Sequence, residues 1–234
     1  MFFYPFFYDP YFWLLIVAML ISGWASFNVN HTFKKYSDLD NQGGYSGREA
    51  ARAILDQAGL EDVQIQEISG QLTDNYNPKT KVLSLSEPVY SATSIAAVGV
   101  AAHEAGHAVQ DAVSYAPMRW RAGLVPVVNL GSQLSMPLIL IGCLFGFNET
   151  LIRLGILCFG AVLLFQIVTL PVEFNASHRA LSFLKSSQLL NGQELQMGQK
   201  VLFAAALTYV AAVLSTILQL LRLVLLFGGG DQRN

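Results

Sequence analysis

The 234-residue chain has four histidines, and two of them stand four positions apart in His103-Glu104-Ala105-Gly106-His107. On an α-helix, residues i and i+4 project from one face, one turn apart. Two imidazoles placed in this way can meet one zinc ion at about 2.0–2.1 Å. Glu104 lies roughly 100° around the same helix, where its carboxylate can reach water at the ion without being a ligand. This is the H-E-x-x-H arrangement, in which the glutamate is the general base of metal-assisted peptide hydrolysis. A short pattern with three fixed positions also arises by chance, so its context matters. The flanking Ala96, Ala97, Gly99, Ala101 and Ala102 are small and apolar. Burying two imidazoles among them without a ligand would cost desolvation with few partners in reach.

A catalytic zinc ion takes three protein ligands and keeps one position open. One zinc ion per chain is therefore expected, with His103 and His107 as two ligands. Cys143 and Cys158 sit in apolar runs and read as small buried hydrophobes. The stretch from Pro171 to Ala180 offers Glu173 as the third ligand, with His178 as the alternative. Ala176 and Ala180 would share a helical face with Glu173 and permit a close approach to the histidine pair. Asn175 and Ser177 are candidates for orienting the ligands. Oxyanion stabilisation has three candidates beyond the metal, namely His178, Arg179 and Tyr76, and spacing does not choose among them. The strand expected over 81–86 is placed to pair with an extended peptide.

These residues need elements to position them, and the composition indicates which. Apolar residues make up 53% of the chain and charged residues 13%, against roughly 25% charged in a soluble domain. The apolar residues collect in four runs, 11–29, 124–147, 151–170 and 201–227. Each suits a membrane-spanning helix, which needs about 20 residues. Tyr11, Phe12 and Trp13, preceded by the aromatic stretch 2–8, suit a headgroup belt, and Arg222 can snorkel from the last turns of the fourth run. No Lys or Arg precedes Ser26, so the first run reads as an uncleaved anchor rather than a signal peptide. Asn129, Gln133 and Gln166 within the runs suit helix–helix contacts, including those of a membrane partner protein or a homo-oligomer. The formal net charge of −2 gives no support for nucleic-acid binding.

Two polar regions remain, 30–122 with the HExxH pattern and 171–200 with Glu173. Four spans put both on the same side of a multi-pass cell-membrane protein. They carry Lys34, Lys35, Arg48, Arg52, Lys79, Lys81, Arg119, Arg121, Arg179, Lys185 and Lys200, against Arg153 and Arg233 on the other side. That asymmetry predicts a cytoplasmic catalytic region and an N-terminus outside. Within region 30–122, Ser46-Gly47-Arg48-Glu49 is a capping box, and Gly59 suits the stop of the helix it opens. Short strands are expected near 63–68 and 83–86, with a turn at Asp74-Asn75-Tyr76-Asn77-Pro78. A long alanine-rich helix should then run from about Ala92 to Ser114. The expected fold is a mainly α membrane protein, with four transmembrane helices and a small α+β zincin-like catalytic domain.

The run Tyr76-Asn77-Pro78, Val82-Leu83-Ser84-Leu85-Ser86, Val89-Tyr90 and Ser94 through Gln110 resembles the bacterial neutral zinc metallopeptidases of the YugP type, and Leu170-Pro171-Val172-Glu173-Phe174-Asn175-Ala176-Ser177 matches their second block. The resemblance extends over nearly the whole chain. It implies a membrane-embedded zinc metallopeptidase, distantly similar to the HtpX and Ste24 zincins. The resemblance supplies no substrate; the expected function is hydrolysis of peptide or membrane-protein substrates at the bilayer. In those zincins a glutamate C-terminal to HExxH completes the zinc site, which implies Glu173. They commonly carry an acidic residue four positions later, where this chain has Ser177. The other class of function to weigh is a non-catalytic membrane scaffold or adaptor that retains a zinc site. An intact Glu104 favours the enzyme, because a structural site needs no general base.

Overall fold

The computed structural model describes residues 9–228; the aromatic stretch 2–8 and Arg233 lie outside them. The chain is mainly helical, with one small sheet. Four helices are long and apolar enough to cross a membrane: α1 (Phe12–Ser37), α5 (Ala116–Leu144), α6 (Glu149–Ser186) and α7 (Gly192–Phe227). Between α1 and α5 lie α2 (Gly47–Gln57), β1 (Gln64–Ile68), β2 (Asn75–Asn77), β3 (Val82–Ser86), α3 (Glu87–Tyr90) and α4 (Ile95–Ala112).

The spanning helices run past their apolar segments. At 1.5 Å per residue the 38 residues of α6 extend about 57 Å, against about 30 Å of hydrocarbon in a bilayer. Glu173 therefore does not begin a new helix, as its polar neighbourhood suggests. It lies on the continuation of α6 beyond Pro171, which is inside the helix. Proline in a helix interior removes a hydrogen bond and favours a break, but long apolar helices tolerate it.

The chain divides into two compact units. One gathers the described residues up to Ala25, Trp120–Thr169, and those from Thr208 onward. Here α5 and α6 approach through small residues. A Cβ on Gly155 would stand 2.7 Å from the Ser135 carbonyl oxygen, and one on Gly131 would stand 3.2 Å from that of Cys158. Ser135 Oγ donates to the Gly155 carbonyl at 2.9 Å. On α1 and α7, Ser22 and Ser215 share a hydrogen bond of 2.8 Å. Arg222 does not simply snorkel: its Nε donates to Asp9 Oδ2 at 2.6 Å.

The other unit gathers Ser26–Arg119 and Leu170–Leu207, so both polar regions contribute to one body. Ser46 caps α2 in a full capping box with Glu49, and Gly59 follows the helix at φ +70°. The sheet order is β1-β3-β2, with β1 parallel and β2 antiparallel to β3. Two expectations change here. Residues 75–77 are a strand rather than a turn, because Tyr76 pairs opposite Leu83; the reversal comes after Pro78. The strand expected to receive a peptide, β3, is the central one and is paired on both sides. Its burial explains this: Leu83, Ser84, Leu85 and Ser86 are all buried, as befits a strand covered on both faces. Ser86 donates from its backbone N–H to Asp74 Oδ1 at 2.8 Å.

Helix α4 crosses this core. Ser94 caps it, accepting from the Ala97 N–H. Ala96, Ala97, Ala101, Ala102, Ala105 and Ala108 are all buried. Alanine is the best helix former, and its small side chain lets neighbours pack close on every face. The helix ends where Ser114 takes φ +53°.

Candidate metal centre

His103 and His107 point from one face of α4, their rings edge-on at 84° with centroids 4.7 Å apart. Glu173, 1% exposed, enters from α6. Its Oε2 lies 3.2 Å from His103 Nε2 and 3.6 Å from His107 Nε2. Three donors at about 2.0–2.1 Å around a tetrahedral zinc ion stand about 3.3 Å from one another, so these separations fit that ion. All three ligand atoms lie within 4.8 Å of one another.

The approach of the two helices is set by their smallest residues. A Cβ on Gly106 would lie 2.7 Å from the Ala176 carbonyl oxygen. Ala176 and Ala180 are fully buried, in keeping with their spacing from Glu173 on one helix face.

The electrostatics suit a cation. Burial pushes the Glu104 carboxyl above its usual pKa, while His107 and His103 pull it back. Burial alone would lower the His107 imidazole; the neighbouring carboxylates of Glu173 and Glu104 outweigh this and raise it. The pocket thus favours positive charge at His107, the place a metal cation would take.

Ser177 Oγ lies 3.1 Å from His103 Nδ1. Asn175 Oδ1 accepts from Arg179 Nε at 2.8 Å and from Gln110 Nε2 at 3.0 Å. The other sequence candidates stand apart from the cluster. His178 is exposed; the fourth histidine, His31, stacks on Phe27. The Tyr76 hydroxyl donates to Asp111 Oδ2 at 3.0 Å, and burial together with that carboxylate raises its pKa. Gln110 is the residue that motif reading missed. Its Oε1 lies 3.0 Å from His107 Nδ1, and its Nε2 donates to the Val172 carbonyl at 2.8 Å. Its signal in the sequence is an amide three residues after His107, on the same helical face as the ligands.

Four helices long and apolar enough to cross a membrane, together with a His-His-Glu cluster that could hold a metal ion, mark a membrane protein with a candidate metal site among its described residues. A protein-family model described as "Putative neutral zinc metallopeptidase" matches residues 11–228, and the chain belongs to that family. It is 47% identical over 221 residues to a Bacillus subtilis (strain 168) protein named "Putative membrane protease YugP", with 94% of this chain and 98% of that protein covered. No solved structure matches the chain.

Proposed function

We propose that the chain is a membrane-embedded zinc metalloendopeptidase that hydrolyses peptide bonds of membrane or membrane-adjacent proteins. In this reading His103, His107 and Glu173 hold one zinc ion, and Glu104 is the general base. The convergence of three ligand atoms from two helices beside Glu104 supports it most directly. A zinc ion held there supplies Lewis acidity, which acidifies water and polarises the scissile carbonyl. Glu104 takes the proton of the attacking water and returns it to the leaving amine nitrogen as the peptide bond breaks. The cluster has three members, the number used by catalytic zinc sites; closed structural sites use four. This favours an enzyme over a scaffold.

Glu104→Gln in the purified full chain should retain zinc and lose proteolysis by at least about 100-fold, the contribution typical of a general base. Undiminished proteolysis would remove Glu104 from that role. The basic residues of both polar regions favour a cytoplasmic active site. Glu61→Cys should therefore label only from the cytoplasmic side and Thr150→Cys only from outside, in a background lacking the native cysteines. The reverse pattern would move the active site to the far face.

A further inference from the structure

Gln110 is 0% exposed, lies beside the metal cluster, and is neither ligand nor base. Resting on the zinc reading above, we propose that Gln110 is a positioning residue. It locks His107 in the ring tautomer that can bind a metal, and it ties that ring to the helix carrying Glu173.

Two groups around Gln110 have a polarity that cannot reverse. The Val172 backbone carbonyl only accepts, so the Gln110 atom 2.8 Å from it is the amide nitrogen. Arg179 Nε only donates, so the Asn175 atom 2.8 Å from it is Oδ1. That oxygen then takes the second N–H of Gln110 at 3.0 Å. Both amide hydrogens of Gln110 are thereby used, and its Oε1 turns to His107 Nδ1 at 3.0 Å. An oxygen acceptor there requires the hydrogen on Nδ1, which leaves the Nε2 lone pair facing the Glu173 carboxylate and available to a metal. Flipping the Gln110 amide would set its oxygen against the Val172 carbonyl. A buried amide with unmatched partners costs about 1–3 kcal/mol, so the network holds one orientation.

The other imidazole has no such lock. Ser177 Oγ beside His103 Nδ1 can donate or accept, so it accommodates either tautomer. Val172 immediately precedes Glu173 in the chain. The bond from Gln110 to its carbonyl therefore also holds the backbone next to the third ligand. One side chain sets the register of two ligands from two helices.

The test uses the full chain in detergent and reads zinc affinity by chelator competition and the visible spectrum of the cobalt-substituted protein. Gln110→Met keeps the length and removes every hydrogen bond. It should weaken zinc binding about 10–100-fold, the usual cost of losing a partner behind a ligand, and should change the cobalt spectrum. Gln110→Glu keeps an oxygen facing Nδ1 but sets its other oxygen against the Val172 carbonyl and Asn175 Oδ1, so it should recover only part of the affinity lost in Gln110→Met. Lower melting temperatures in both variants with unmoved zinc affinity and cobalt spectrum would mean packing only, and would overturn the proposal. Should Gln110→Met fail to fold, Asn175→Ala removes one anchor from the far side. It should weaken zinc in the same direction by a smaller factor, and unchanged affinity would overturn the proposal. His103→Ala separates the two readings. If zinc affinity ignores that change, the metal reading falls and takes this one with it. If affinity collapses in His103→Ala but is indifferent to Gln110→Met, only the lock falls.

Discussion

Two helix pairs in this chain meet at nearly the same distance and do different things. Where α5 meets α6, a Cβ on Gly155 would stand 2.7 Å from the carbonyl oxygen of Ser135. Where α4 meets α6, a Cβ on Gly106 would stand 2.7 Å from that of Ala176. The first contact carries one hydroxyl, Ser135 Oγ, bonded to the facing backbone. The second is flanked by two imidazoles, two carboxylates and two amides, four of the six buried. Close approach is therefore the common device, as expected of small residues at helix interfaces. Only the second gathers polar side chains that could hold a cation.

The strongest challenge to that contrast is removal of the third ligand. Glu173→Ala should weaken zinc binding by more than about 100-fold, beyond the loss from an outer partner, and proteolysis should fall with it. His178→Ala, at an exposed position on the same helix, should leave zinc content unchanged. Zinc lost from the His178 variant and kept by the Glu173 variant would reverse the ligand assignment.

A matched pair of substitutions separates proximity from chemistry. Gly106→Ala and Gly155→Ala each force a methyl group against a backbone oxygen, at a cost of about 1–3 kcal/mol for overpacking. Both should lower the melting temperature. Only Gly106→Ala should also weaken zinc, because it pushes the Glu173 helix away from the imidazoles. Equal effects of the two variants on zinc affinity would erase the distinction between the two contacts.

Much of this contrast is legible in the sequence alone. The His103–Glu104–His107 spacing, the four apolar runs and the capping box at Ser46 are local patterns, and each depends on residues within a turn or two of one another. Glu173 is legible through its small neighbours Ala176 and Ala180 and through the resemblance. The position of β3 between β1 and β2 is not, because strand order depends on pairing across the loop 69–74, and no periodicity encodes it. The continuity of α6 through Pro171 is hidden for another reason: proline is a local breaker, and here the packing of a long helix overrides it. Gln110 is hidden by its company. Its role appears only when Val172 and Asn175, more than 60 residues away in sequence, come within hydrogen-bond reach.

The smallest effect should come from the adaptable partner. Ser177→Ala removes the hydroxyl 3.1 Å from His103 Nδ1. A small void and a lost neutral hydrogen bond cost about 0.5–1.5 kcal/mol, so zinc affinity should fall by about tenfold at most, less than for Gln110→Met. The reason lies in the partners. The Ser177 hydroxyl imposes no tautomer on His103. His107 depends more on the ring nitrogen behind it, which faces the fixed oxygen of Gln110. A larger loss of zinc from Ser177→Ala than from Gln110→Met would invert the ranking. It would show that the hydroxyl-paired imidazole, not the amide-locked one, is the weaker point of the centre.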